Sequence, residues 1–266
     1  MKLFKKILIT LFWVLLIGSM IFLMGFIDNK NGELTLSSIE ITISRHTNTI
    51  LITEEDVMNI IGNGNNEMIG RSYGGIRLED LENRLKNNSY VADVNVHSRI
   101  PGNLYIDIVQ RTPLARIVNQ KYKQFYISTD GHLMPLHPGV ILPTILATGM
   151  FTDSLDHGVS LRKIQAIPAE ELSQVSALET VYNLALFIQD HEFLRAQIEQ
   201  IYINEKKEAE MIPKVGDHLI LFGDLGHMEG KFSKLIAFYK EGVRYSGWDI
   251  YQTVNLKYKN QIVCTK

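Results

Sequence analysis

Cysteine is almost missing from these 266 residues, and Cys264 is the single example. Its isolation excludes an intrachain disulfide and any cysteine-rich zinc site. Charge of one sign is missing too. The 27 Lys+Arg nearly balance the 29 Asp+Glu, leaving a net charge of −2. No basic block can neutralise a nucleic-acid backbone, so nucleic acid is not an expected partner. Proline is sparse at 7 residues, with no Pro-rich spacer, repeat or low-complexity tract. The eight histidines are scattered, with no H-x-x-x-H or H-E-x-x-H pair for zinc. Gly62-Asn63-Gly64 lacks the third glycine and the Lys-Ser/Thr that a phosphate loop requires. No catalytic constellation stands out, so no enzyme, metal or cofactor is expected.

One long apolar run is present. Ile7 to Ile27 carries no charge, and as a helix it would span about 30 Å, the thickness of a bilayer's hydrocarbon. It exceeds the h-region of a signal peptide, and no A-x-A cleavage pattern follows, so an uncleaved transmembrane anchor is expected. Lys2, Lys5 and Lys6 should hold the short N-terminal tail in the cytoplasm and send everything after Ile27 outside. Because residues 1–27 hold three lysines and no carboxylate, the exported part carries −2 less 3, or −5. The run also accounts for a mean hydropathy of zero, which is high for a water-soluble chain.

Behind a polar linker (28–35), the pattern reads β-α-α-β-β. Ile39, Ile41 and Ile43 alternate as in a half-buried strand. Thr53 and Asp56 form a capping-box pair ahead of a helix with Val57, Ile60 and Ile61 on one face and Gly62 as its stop. After a Gly/Asn-rich loop (62–75), a helix over Ile76–Asn87 should bury Leu78, Leu81 and Leu85. Strands Val91–Ser98 and Asn103–Arg111 then flank a Pro101-Gly102 turn. From about 112 the texture changes to short strands with two amphipathic helices, near Glu170–Gln189 and Glu229–Glu241. The first should bury Leu172, Val175, Leu178, Tyr182, Ala185 and Leu186; the second aligns Phe232, Leu235, Ile236 and Tyr239. Expected strands include Phe125–Ser128, Ile198–Asn204, Ala209–Ile212, Leu219–Phe222, Thr253–Tyr258 and Ile262–Cys264. The aromatics Phe238, Tyr239, Tyr245, Trp248, Tyr251 and Tyr258 form the densest feature, suited to core packing or to a recognition surface.

The lysine tail, the single anchor and V-x-V-x-S-R-I-P-G-N-L-Y-I-D-I-V-Q-R-T-P-L-A-R-I (94–117) belong to one pattern with F-Y-I-S-T-D-G-H-L-M-P-L (125–136). Together with the closing G-W-D-x-Y-x-x-V-N-L-K-Y-K-N-Q-I-V-C-T-K, they resemble the bacterial FtsQ/DivIB division family, in its Bacteroidetes-like branch. The resemblance implies an α+β chain: cytoplasmic tail 1–6, membrane helix 7–27, linker 28–35, POTRA domain 36–111 and β domain 112–266. It implies a non-catalytic scaffold in the cell inner membrane, single-pass type II, with its C-terminal part in the periplasm at the division septum. Implied partners are FtsB and FtsL, with FtsK, FtsW and FtsI as further divisome contacts. The implied site is a terminal strand that accepts an FtsB-like strand along Tyr258, Lys259, Asn260, Gln261, Ile262, Val263 and Cys264. Asp224, Phe232, Trp248 and Tyr251 extend the candidate partner surface; proteobacterial relatives place an arginine where Asp224 follows Gly223. Two other readings compete. An exported cell-wall enzyme would need catalytic residues, and a POTRA-type module of outer-membrane or secretion machinery would need repeated POTRA units or a barrel.

Overall fold

The computed structural model describes residue 6 and residues 11–22, 35–62, 68–99, 102–151, 160–161, 163–164, 174–243 and 247–266. Residues 11–22 are helical and all exposed. Among the described residues no helix is long and apolar enough to cross a membrane. Positions 7–10 and 23–27 of the apolar run lie outside the described residues. The chain divides into two units, Met1–Ser44 with Ile52–Gln110, and Arg45–Leu51 with Arg111–Lys266.

In the first unit, β1 (Ser38–Ser44) leads through α1 (Glu54–Gly62) and α2 (Leu78–Lys86) to β2 (Val91–Arg99), which turns back into β3 (Asn103–Gln110). The sheet order is β1-β3-β2. β3 therefore lies between the other two, parallel to β1 and antiparallel to β2. The capping pair forms as its spacing predicts. Asp56 N–H donates to Thr53 Oγ1 at 3.1 Å, and Thr53 N–H donates to Asp56 Oδ2 at 2.9 Å. Asp can replace the usual Glu here because the two side chains also hydrogen-bond, at 2.7 Å. The helices bury Val57, Ile61, Leu81 and Leu85 against Val94, Val96, Leu104, Ile106 and Ile108. Each such burial contributes about 1.5–3 kcal/mol. The β2–β3 turn needs glycine: Gly102 has φ +77, and a Cβ there would stand 2.7 Å from the Thr35 carbonyl oxygen. Pro101, Asn63 and Gly64 lie outside the described residues.

The second unit is a nine-stranded mixed sheet. Its strands are β4 (Pro113–Val118), β5 (Gln124–Ser128), β6 (Leu133–Pro135), β7 (Ile145–Gly149), β8 (Ile198–Ile203), β9 (Ala209–Pro213), β10 (Leu219–Gly223), β11 (Thr253–Asn255) and β12 (Val263–Thr265). The order β12-β11-β10-β9-β8-β7-β4-β5-β6 places β6 and β12 at the two edges. β4, β7 and β8 run parallel, as do β10 and β11, so distant segments become neighbours. Helices α3 (Ala177–Asp190), α4 (Glu192–Gln197) and α5 (Met228–Ala237) follow the same chain order. Val181, Leu184 and Ile188 of α3 and Phe232 and Leu235 of α5 share one core with Ile117, Ile201, Ile220 and Val254 of the sheet.

Three elements differ from the sequence expectation. The helix expected from Glu170 begins at Ala177, where Ser176 and Glu179 close a reciprocal capping box. Val175 is buried ahead of that helix, and Leu172 lies outside the described residues. The helix expected over Glu229–Glu241 is α only to Ala237 and continues as π over Phe238–Gly242. The strand expected over Thr253–Tyr258 stops at Asn255, because Asn255 Oδ1 accepts the Lys257 N–H at 3.0 Å and turns the chain away.

Candidate partner-binding edge

β12 is three residues long and pairs antiparallel with β11 as Thr253↔Thr265, Val254↔Cys264 and Asn255↔Val263. Hydrogen bonding on the far side of β11 fixes which way its groups point. Leu219 N–H donates to Gln252 O at 2.8 Å and Leu256 N–H to Leu221 O at 3.0 Å. In a parallel ladder this parity commits Val254 to β10 and leaves Thr253 and Asn255 facing β12. Val263 and Thr265 then point their backbone groups inward, and the N–H and C=O of Cys264 point outward, along the edge of the sheet. Among the described residues no strand pairs beyond β12. The Cys264 side chain, with Ile262, packs on the core, so what this position presents at the edge is its main chain. Burial raises the thiol's pKa, which disfavours the thiolate.

Helix α5 braces this edge from behind. Lys234 Nζ donates to the carbonyls of Leu256 at 3.0 Å, Gln261 at 3.4 Å and Tyr258. Burial lowers its pKa, and the nearby Lys231 charge adds to the effect. Lys231 is itself buried, and its Nζ lies 2.8 Å from both the carbonyl and Oδ1 of Asp224, and 5.1 Å from the centre of the Phe222 ring. On the other side of the hairpin Lys257 pairs with Glu208. Its stem crosses Gly223, where a Cβ would meet Lys257 Cγ at 3.1 Å. The Lys257 hydrogen bond holds the Glu208 carboxyl below its ordinary range, against a smaller burial effect.

The residues expected at the site fall into distinct places. Val263 and Cys264 are in β12, joined by Thr265, which the sequence reading did not include. Tyr258, Lys259, Asn260, Gln261 and Ile262 form the connection from β11, with Tyr258 exposed and Ile262 half-buried. Asp224 is exposed but engaged with Lys231. Phe232 must be corrected: it is fully buried, stacked on Phe187 at 4.5 Å and tilted against Phe222 at 4.8 Å, and belongs to the core. Trp248, 38% exposed, stacks on Tyr239 at 5.7 Å, and Tyr251 is half-buried beside Phe238. Tyr245 lies outside the described residues. Beneath Trp248, the Tyr239 hydroxyl and His218 Nε2 are 2.7 Å apart. Burial raises the Tyr239 pKa to about 12 and lowers that of His218. Lys231 and Lys234 escaped the sequence reading; their only signal is an i, i+3 lysine pair on a helix otherwise read for its apolar face.

A family model described as FtsQ/DivIB, C-terminal related, matches residues 112–265. The chain belongs to the FtsQ/DivIB family. A POTRA-like domain model matches residues 36–109, the span of the β-α-α-β-β unit. Over 65 residues the chain is 35% identical to "Cell division protein FtsQ" of Rickettsia bellii (strain RML369-C), covering 24% of this chain and 23% of that relative. Family membership supports a role in cell division. The chain does contain two short serine motifs where the sequence reading expected none, G-R-S-Y-G at Gly70–Gly74 and S-L-R-K at Ser160–Lys163. Neither sits where its chemistry requires. Ser72 bridges Thr35 ahead of a 3₁₀ turn and not at a strand-to-helix elbow, and Ser160 bridges His132 at the sheet edge. Ser128, Asp130 and His132 also assemble, but Ser128 is fully buried and tied to the His132 backbone. Arg111 and Ser128 both hydrogen-bond Asp130, which staples the β5–β6 turn.

Proposed function

We propose that this chain is a non-catalytic septal scaffold of the bacterial divisome. Residues 7–27 anchor it in the inner membrane as a single-pass type II protein, and the POTRA (36–111) and β (112–266) domains work in the periplasm. The β domain binds the FtsB–FtsL pair by accepting a strand at β12, and so helps control septal peptidoglycan synthesis by FtsW and FtsI; FtsK is a further contact. The observation that carries this reading is the outward-facing main chain of Cys264 on an edge that no strand among the described residues pairs with. Strand addition takes its affinity from such backbone groups and its choice of partner from alternate side chains. Here Val263 and Thr265 supply the alternate set, and Trp248 and Tyr251 extend the surface. The test is depletion in the source bacterium with recovery of the protein's complexes from membranes. Filamentous cells with blocked septa, and FtsB–FtsL recovered with the native chain, support the scaffold. Normal division with outer-membrane defects would overturn it in favour of a POTRA-type assembly module.

A further inference from the structure

We infer that Lys234 is a positioning residue for the β12 edge: its ammonium gathers three carbonyls of the β11–β12 connection and holds the terminal strand ready for a partner. The inference rests on the strand-acceptor reading and adds to it the device that keeps so short an acceptor formed. β11 and β12 have three residues each, and strand pairs of that length are marginal in water. The connection between them packs on the core only at its two ends, Leu256 and Ile262, and Lys257–Gln261 in between are exposed with no apolar residue but Tyr258. An ammonium has three N–H donors. The carbonyls of Leu256, Tyr258 and Gln261 meet them, one from each stage of the turn.

Two features separate Lys234 from the lysines around it. Lys231 and Lys257 each pair with a carboxylate, Asp224 and Glu208. The hydrogen bonds from Lys234 go to main chain alone, so its effect lies in the backbone path and not in charge pairing. Its base is also rigid. It stands on α5 one turn after Lys231, between the fully buried Phe232 and Leu235. A clamp carried on a helix that packs into the core transmits the order of the core to the edge. Ordering the strand before binding spares the partner that entropic cost, which is how preorganisation raises affinity.

The experiment compares the full chain with Lys234→Met, which keeps the stem and removes the ammonium, and Lys234→Arg, which keeps the charge on a planar fork unable to converge on three carbonyls. Hydrogen exchange is followed along the chain, and capture of the co-expressed FtsB–FtsL pair is followed by surface-immobilised binding. In Lys234→Met, amides of residues 256–265 should exchange about tenfold faster while β8 and α3 keep native rates. Affinity for the pair should fall about tenfold. Lys234→Arg should lie between the two in both measurements. A purely electrostatic role would make Arg equal to native, and a purely apolar one would make Met equal to native; either result overturns the inference. So would unchanged exchange at 256–265, loss of protection spread evenly over β8 and α3, or faster exchange with unchanged affinity. If the native chain does not capture the pair, the strand-acceptor reading fails, while the exchange data still decide the clamp.

Discussion

The two edges of the nine-stranded sheet are built on opposite principles. At the β6 edge, Ser128 N–H donates to His132 O at 2.9 Å, so the alternation of an antiparallel ladder points the backbone of Leu133 and Pro135 outward. Proline thus occupies an outward position and has no N–H to offer there. Beside it, Ser160 bridges His132, and Leu161 N–H donates to Gly131 O at 2.8 Å. This edge is blunted and covered, the common defence against stray strand pairing. At the β12 edge, Cys264 turns both an N–H and a C=O outward, and the chain supplies no cover among the described residues. A sheet that closes one edge with proline and a bridging segment, yet among the described residues leaves a three-residue strand open at the other, has the asymmetry that the proposed strand acceptor requires. Support behind the edges differs as well. A hydrogen-bonded staple of Arg111, Ser128 and Asp130 stands near β6, while beside β12 Ile262 and Cys264 pack on the core and Lys234 of α5 holds the β11–β12 connection.

The largest way to disturb this contrast is Phe232→Ala. Removing a fully buried ring stacked on Phe187 and packed on Phe222 should cost about 3–5 kcal/mol in urea unfolding of the second unit. A loss below about 1 kcal/mol, combined with weakened partner capture, would return Phe232 to the surface and undo its assignment to the core.

Next in size is Cys264→Pro. It deletes the outward N–H and leaves the inward bonds of Val263 and Thr265 available, so affinity for FtsB–FtsL should fall tenfold or more. Cys264→Ala keeps the main chain and should bind within a few-fold of native. The reciprocal change, Pro135→Val, restores an N–H to the β6 edge but leaves the Ser160–Leu161 cover, and should create no second binding site. Stoichiometry by analytical ultracentrifugation checks that; two bound pairs per chain would show the edges to be equivalent.

Local signals carried much of the POTRA-like unit. The Thr53–Asp56 cap, the alternation of Ile39, Ile41 and Ile43, and the Gly102 turn each act within a few residues, and each appears as its spacing predicts. The second unit yielded less because its decisive facts are non-local. β7 is five residues of modest pattern that gain meaning only between β4 and β8, which lie distant in sequence. The outward aim of Cys264 depends on the register between β10 and β11, and no periodicity in residues 258–264 encodes it. The outward position of Pro135 likewise depends on the register between β5 and β6, which no local pattern encodes. Phe232 was misjudged because the i, i+3, i+4 pattern identifies a buried face without saying which aromatics reach the surface.

Acidification offers the finest test, because the two edges rest on groups that titrate in different ranges. At the start of β10, two strands in from β12, burial lowers the His218 pKa below its ordinary value near 6.5, with Asp217 and Asp249 only partly opposing. The folded state therefore favours neutral imidazole more than the unfolded chain does. Its contribution is complete above pH of about 6.5 and is lost as pH falls toward the lower folded value. Near β6, burial alone would raise the Asp130 pKa, but the Ser128 hydrogen bond and the Arg111 and His132 charges outweigh it and hold the carboxyl below its ordinary range. Its contribution is complete above pH of about 4 and fades only below that. Acid should loosen the β12 side first. Trp248 reports directly, since it stacks on Tyr239, the hydroxyl partner of His218. In a Trp13→Phe background its fluorescence should begin to change just below pH 6.5, and His218→Asn should flatten that step. Asp130→Asn should leave it in place and alter only the transition below about pH 4. A single transition at the lower pH, insensitive to His218→Asn, would mean that both edges are held by the same carboxylate chemistry.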